Sequence, residues 1–146
     1  MKNVKGVMVA LLPSYFDWPN VEFPHLTLVY AGEKSDVSAS DLDSLSKAAL
    51  SIAMLSSPIT LRTLTKDVYG EGTDDNPKVD VLRFHPNVDL LRMRAIVEDW
   101  NASKFPFNPH LTVGPEGTWN GVAPMMVAFD KVAFVVDGES QEFHLA

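Results

Sequence analysis

The sequence contains no cysteine, and this absence removes several classes of protein at once. Without thiols the chain cannot form disulfides, bind zinc through thiolates or use a cysteine nucleophile. Basic residues are also scarce, because 12 Lys and Arg stand against 19 Asp and Glu and give a net charge of −7. Proteins that coat long nucleic acids neutralise many phosphates with Lys and Arg. The charge therefore argues against long RNA or long duplex DNA as a partner.

Long apolar runs are missing as well. The run at residues 7–12 follows Lys2 and Lys5 and resembles the start of a signal peptide, but it is too short and no small-residue cleavage site follows. We interpret it as the first strand, and we expect no membrane partner and a cytoplasmic location. A chain of 146 residues with 46% apolar residues buries enough surface to fold as one domain, residues 1–146, without a linker.

Hydrophobic periodicity predicts seven strands and two helices. A helix is expected between residues 38 and 55, with Ser40 and Asp43 as a capping box, and a second one after Pro86. Glycines and other turn-forming residues predict a turn throughout residues 66–78. The strands are expected at residues 4–12, 25–30, 59–64, 79–84, 110–113, 127–136 and in a last segment that ends near residue 145. Strands and helices in this order predict an α+β fold.

The second predicted helix carries an apolar stripe formed by Leu90, Met93, Val97 and Trp100. Its charged residues, Arg94 among them, fall mainly outside that stripe. The pattern is typical of a helix that packs one face on a core.

One tetrapeptide occurs twice. Residues 24–27 read Pro-His-Leu-Thr, and residues 109–112 repeat them unchanged. Residues two apart on a strand share a face, so each copy places an imidazole beside a hydroxyl, while the leucine between them points into a core. Two copies in two halves of one small domain predict a pseudo-twofold cleft. His25, Thr27, His110 and Thr112 would converge in it.

Such a cleft has a definite chemistry. The pKa of an unperturbed imidazole lies near 6.5, so one histidine can act as a base while the other acts as an acid at neutral pH. Threonine hydroxyls donate hydrogen bonds to anionic oxygens without carrying charge. A phosphodiester between the two histidines would have a proton acceptor at its attacking oxygen and a proton donor at its leaving oxygen. The motif therefore predicts phosphoryl transfer without a metal.

The doubled motif and the order of elements resemble the 2H phosphoesterase superfamily, which includes bacterial 2′-5′ RNA ligase-like proteins and cyclic phosphodiesterases. The resemblance implies a two-lobed α+β fold with antiparallel sheets, two main helices and a central cleft. It implies catalysis without a cofactor, with His25 and His110 as the acid–base pair and Thr27 and Thr112 as phosphate-binding residues. Which histidine is the acid stays open.

The implied substrate is a small nucleotide: a 2′,3′-cyclic phosphate, a short 2′-5′ or 3′-5′ oligonucleotide, or a cyclic oligonucleotide messenger. Many members of the superfamily carry basic residues just after the second motif, whereas this chain has Gly-Pro-Glu-Gly at residues 114–117. This departure favours a short substrate over long RNA. Because similar compact phosphoesterases of some bacteriophages destroy immune signalling nucleotides, that role is also implied.

Aromatic residues in loops beside the motifs are candidates for stacking on a nucleobase, although anchoring of the loops explains them equally well. They are Tyr15 and Trp18 before the first motif and Trp119 after the second. Lys66, Tyr69 and Arg83 border the glycine-rich turn and are candidates for contacting substrate, including a second phosphate.

Two further histidines, His85 and His144, lack the motif, so we expect surface or packing roles for them. Without cysteine, and with carboxylates at no ligand spacing, a zinc site is weakly supported, and we predict no metal ligand. A non-catalytic module that sequesters a nucleotide in the same cleft is the alternative function, and a structural protein ranks below it. The sequence indicates no oligomeric state.

Overall fold

A computed structural model describes residues 4–15 and 21–146 of the chain. The described residues form seven strands and two α-helices, and the predicted α+β class is confirmed. In chain order the elements are β1 (Val7–Pro13), β2 (Leu26–Gly32), α1 (Ala39–Leu55), β3 (Ile59–Tyr69), β4 (Val79–Phe84), α2 (Val88–Val97), β5 (His110–Pro115), β6 (Met126–Val136) and β7 (Glu139–His144). Short 3₁₀ turns lie at Lys34–Asp36 and Glu98–Trp100.

The strands pair antiparallel in the order β2-β1-β6-β3-β4-β5, and β7 pairs with β6. β3 belongs to both halves of this arrangement, because its first residues, 59–62, pair with β6 and residues 63–69 pair with β4. The two strands that carry the motifs, β2 and β5, are therefore the two ends of the order. They nevertheless contact each other. The two ends of the strand order thus come together through the strands that carry the motifs.

The turn predicted throughout residues 66–78 is wrong for residues 66–69, which continue β3. Lys66 to Tyr69 pair residue by residue with β4, so ladder hydrogen bonds override the polar composition. The turn begins at Gly70, whose φ is +110°. A Cβ there would lie 2.2 Å from the carbonyl oxygen of Pro77, so the tight return of the chain requires glycine.

Both helices bury an apolar face and begin at a side-chain cap. Ser38, and not the predicted Ser40 with Asp43, caps α1, because the Ser38 hydroxyl accepts from the amide of Asp41 at 3.1 Å. Asn87 caps α2 by accepting from the amide of Leu90 at 2.8 Å. Trp100 of the predicted stripe lies in the 3₁₀ turn that follows α2.

The core orients the motifs. Leu26 and Leu111, the central residues of the two copies, are fully buried in the main core. Because neighbouring residues on a strand point to opposite faces, this burial turns the histidine and threonine of each copy away from the core. A second, smaller apolar layer lies on the other face of β1 and β6, and it consists of Met8, Ala10, Leu12, Ala133 and Val135.

Candidate active site

The strand β2 has a bulge immediately after the threonine of the first motif. Thr27 pairs with Ala10 of β1, but the next pair joins Val29 to Val9, so Leu28 is an extra residue. Bulges of this kind bend a strand and are frequent beside active sites, where they aim a side chain. The backbone carbonyl of Leu28, the extra residue, accepts a hydrogen bond from the side chain of Arg94 on α2.

The strand β5 repeats this bulge at the equivalent position of the second motif. Thr112 pairs with Val81 of β4, the next pair joins Gly114 to Asp80, and Val113 is the extra residue. The sequence repeat therefore extends to the register of the backbone. In both strands the regular pairing with the neighbouring strand is interrupted directly after the threonine of the motif.

Both motif histidines are held in the same way. Nδ1 of His25 lies 2.8 Å from the carbonyl oxygen of Phe23, and Nδ1 of His110 lies 2.7 Å from that of Asn108. Because a carbonyl oxygen only accepts, Nδ1 carries the proton of the neutral ring in both cases, and Nε2 is left to accept one. The two rings are thus fixed in the same tautomer, with Nε2 as the atom that gains and loses the second proton.

The surroundings of the two rings differ. The ring of Phe23 stacks on His25, with centroids 5.0 Å apart and an interplanar angle of 27°. Tyr69, from the end of β3, meets His110 edge-on at 4.8 Å and 70°, and its hydroxyl accepts from the side chain of Asn108. The backbone carbonyl of Asn108 therefore fixes the ring of His110, and the side-chain amide of Asn108 donates to Tyr69. His25 has an apolar neighbour, whereas His110 has a polar network.

Both histidines have a pKa below the ordinary value. Burial is the main cause of the lowered pKa of His25; the hydrogen bond to Phe23 opposes it, and positive charge on His110 adds to it. Burial also lowers the pKa of His110, opposed by the Asn108 carbonyl and reinforced by the charge of Arg83. Positive charge on His110 thus disfavours protonation of His25, which agrees with the contact between β2 and β5.

Thr27 and His110, one residue from each motif, line the same cavity of about 840 Å³. Tyr69 also lines this cavity, as does the loop at residues 101–108 with Phe107. Arg94 lies there too, with its guanidinium 4.9 Å from the centre of the Phe107 ring. Arg94 was missed as a site residue from sequence, since an arginine on the polar face of a helix carries no signal of its own.

Among the other predicted residues, Tyr69 and Arg83 lie beside His110. Arg83 on β4 pairs directly with His110 on β5. Tyr15 follows β1 and is 80% exposed. Trp18 lies outside the described residues. His85 and His144 are exposed, at the ends of other strands.

Lys66 and Trp119 are brought together elsewhere, around a buried carboxylate. Asp80 accepts from the backbone amides of Gly117 and Trp119 at 3.0 and 3.2 Å, and Lys66 Nζ lies 3.6 Å from its other oxygen. Burial alone would raise the pKa of Asp80, but the two amides and Lys66 outweigh it, so the pKa is lowered. Trp119 packs against the main core, with Lys66 5.9 Å from its ring centre. The arrangement anchors the loop after β5 to β4.

Within residues 4–15 and 21–146, no group of three or more His, Asp and Glu side chains is placed to hold a metal ion. Across the same ranges, no helix is both long and apolar enough to cross a membrane.

Comparison of the whole fold with solved structures gives matches over nearly the full chain. TT0787 of Thermus thermophilus matches with a TM-score of 0.61 at 19% identity, covering 95% of this chain and 97% of its own. E. coli LigT complexed with 3′-AMP matches with a TM-score of 0.56 at 20% identity, covering 97% and 95%. A structure described as a phosphoesterase matches with a TM-score of 0.51 at 20% identity, covering 98% and 96%.

No protein-family model matches the sequence, and no curated protein sequence does. The chain is thus an α+β protein with the fold of LigT. This is the fold expected from the resemblance to the 2H phosphoesterases, and that expectation is confirmed at the level of the fold.

Proposed function

We propose that the protein is a 2H phosphoesterase that cleaves a phosphodiester of a small nucleotide, with His25 and His110 as the acid–base pair. The observation that carries the proposal is the repeated geometry of the two imidazoles. Each is held at Nδ1 by the carbonyl two residues before it; His110 is the first residue of β5, His25 directly precedes β2, and these two strands contact each other. Residues 1–146 would act as one domain in which each half supplies one histidine and one threonine.

The reaction needs one proton to be taken and one to be given. Nε2 of the neutral histidine accepts the proton of a water or of a neighbouring 2′-hydroxyl as that oxygen bonds to phosphorus. The bond from phosphorus to the leaving oxygen breaks, and Nε2 of the protonated histidine gives its proton to that oxygen. The hydroxyls of Thr27 and Thr112 donate hydrogen bonds to the phosphate oxygens that stay. Exchange with solvent returns both rings to their starting states.

A short nucleotide fits the cleft better than a long strand. The cavity of about 840 Å³ is within the size of sites for small ligands, and the net charge of −7 opposes a long polyanion. LigT, which shares the fold, has been crystallised with 3′-AMP, NADP+ and ATP. Phe107 and Arg94, which also line the cavity, offer an aromatic ring and a cation for a base to pack on.

Within this substrate class we include 2′,3′-cyclic phosphates, short oligonucleotides and cyclic oligonucleotide messengers. Because each presents a phosphodiester to the two histidines in the same way, the chemistry does not separate them. A messenger as substrate would fit a phage enzyme that degrades immune signals. The cytoplasm, where such nucleotides occur, is the location that we propose.

The pH dependence tests the acid–base assignment. We expect kcat/KM on a 2′,3′-cyclic nucleotide to be bell-shaped, because one histidine must be neutral and the other protonated. Burial lowers the pKa of both rings, so the maximum for the free enzyme should lie below pH 6.5. The profile of kcat should move to higher pH, since a bound anion stabilises the imidazolium.

Steady-state rates between pH 4.5 and 9, at constant ionic strength and with EDTA present, measure both profiles. A profile of kcat/KM that is flat over this range would contradict catalysis by the pair of histidines.

A further inference from the structure

Arg83 lies on the same face of the sheet as His110. The two residues are direct partners in the antiparallel pair of β4 and β5, and side chains opposite each other in such a pair point to the same face. Burial and then the charge of Arg83 lower the pKa of His110, which agrees with this position. Burial raises the pKa of Tyr69, and the charge of Arg83 opposes that rise. A guanidinium therefore stands next to the second motif without belonging to it.

The hydrogen-bonding capacity of this guanidinium is largely unused. Within the described part of the chain, Nε of Arg83 is buried and has no hydrogen-bond partner. The carboxylate of Asp67 lies 3.5 Å from Nη1, which is too long for the two parallel hydrogen bonds of a strong arginine–carboxylate pair. Since a buried donor without an acceptor is costly, the arrangement indicates an acceptor that a ligand brings.

We propose that Arg83 binds a phosphate oxygen of the substrate beside His110 and supplies the positive charge that the motifs lack. The two threonines are neutral, and residues 113–117 after the second motif contain a glutamate and no cation. A guanidinium presents five donors in a planar fork that matches phosphate. The inference rests on the proposed function for its substrate, but it concerns binding of the anion and not its cleavage.

A purely structural role for Arg83 predicts a different result from anion binding, and substitution of Asp67 distinguishes the two roles. If Arg83 only holds β3 to β4 through Asp67, then removing either partner has the same effect. If Arg83 binds the anion, Asp67 competes with the ligand, so Asp67→Asn should leave binding unchanged or strengthen it, whereas Arg83→Gln should weaken it.

Arg92 provides a matched control. Its Nη1 lies 3.5 Å from the carboxylate of Asp89, the same distance as in the Arg83 pair, but it is exposed on α2. Arg92→Gln removes the same charge and the same kind of ion pair from a place outside the cleft.

Calorimetric titration of the full chain with 3′-AMP and with inorganic phosphate, at low salt and pH 7, measures binding without requiring turnover. We expect Arg83→Gln to weaken the binding of both probes by about 10- to 100-fold, the range for a lost charged hydrogen bond. Arg83→Lys, which keeps the charge but loses the fork, should fall between Arg83→Gln and wild type. Arg92→Gln should bind both probes as tightly as wild type does.

Unchanged binding by Arg83→Gln or by Arg83→Lys, an equal loss in Asp67→Asn, or no binding of either probe by the wild-type protein would overturn the proposal. Circular dichroism of each variant checks that it is folded. If Arg83→Gln does not fold, binding by Arg83→Lys decides the test. Binding that depends on Arg83 in a protein without turnover would refute the proposed function and leave the assignment of Arg83 standing.

Discussion

Replacing either His25 or His110 with alanine is expected to lower kcat for phosphodiester cleavage by about 10²- to 10⁴-fold, the range for losing a positioned acid or base. Each histidine is held by one hydrogen bond from Nδ1, which leaves Nε2 as the nitrogen available for the proposed proton transfer. Because the two histidines act in the same catalytic step, kcat of the double variant should be only slightly lower than kcat of the less active single variant.

Alanine also removes a ring that packs on Phe23 or Tyr69, so a second substitution separates chemistry from packing. Asparagine has a side-chain NH that can donate to the same backbone carbonyl as Nδ1 does, but it has no equivalent of Nε2. We expect His25→Asn and His110→Asn to be as inactive as the alanine variants while they melt closer to wild type.

His85→Ala is the matched control, because His85 is exposed and outside both motifs. It should keep the kcat of wild type. Steady-state kinetics on a 2′,3′-cyclic nucleotide measures the whole set. Turnover near the wild-type rate in a folded His25 or His110 variant would remove that histidine from the mechanism.

Loss of a motif hydroxyl should have the second-largest effect. We expect Thr27→Val and Thr112→Val each to lower kcat/KM by about 10²- to 10³-fold, as removal of one donor to a developing oxyanion does. The Thr27 hydroxyl donates to the sulfur of Met8 at 3.7 Å. Because sulfur is a weak acceptor, a phosphate oxygen can replace it as the acceptor of this hydrogen bond. Valine has the shape and strand preference of threonine, so the fold should be kept.

Two further variants show whether the hydroxyl is responsible. Thr27→Ser and Thr112→Ser retain a hydroxyl and should recover most of the activity. Thr60→Val, on the exposed side of β3, should have no effect. Equal rates in the valine and serine variants at either motif would show that its hydroxyl contributes nothing to the reaction.

Much of the fold follows from local patterns. The alternation around Leu26 and Leu111 is dictated by burial of one strand face, so the positions of the two motifs could be predicted from sequence. The end of β3 could not, because pairing with β4 outweighs the polar character of residues 66–69. The bulges at Leu28 and Val113 are also set by the neighbouring strands, and no residue type marks them.

The repeat marks the motif residues of the candidate site, and Tyr69 and Arg83, which were named because they border the glycine-rich turn, do lie beside His110. Trp119 and Lys66 have the residue types of a nucleotide site but lie around buried Asp80. The carbonyls that hold the histidines belong to Phe23 and Asn108, whose side chains do not reveal this contact. Backbone groups and contacts between distant elements decide such roles, and a single sequence does not display them.

The central claim is that the cleft cleaves a nucleotide phosphodiester and does not merely hold it. Incubation of the wild-type protein with 2′,3′-cyclic nucleotides, 2′-5′ oligoadenylates and cyclic dinucleotides in heavy-oxygen water containing EDTA, followed by mass spectrometry, tests it most directly. The account predicts that at least one substrate is cleaved in many turnovers, with one heavy oxygen in the phosphate of a hydrolysed product. The His25→Ala and His110→Ala variants should leave the same substrate intact. Recovery of every compound unchanged, with one bound tightly by the folded protein, would contradict the account and identify a binding module.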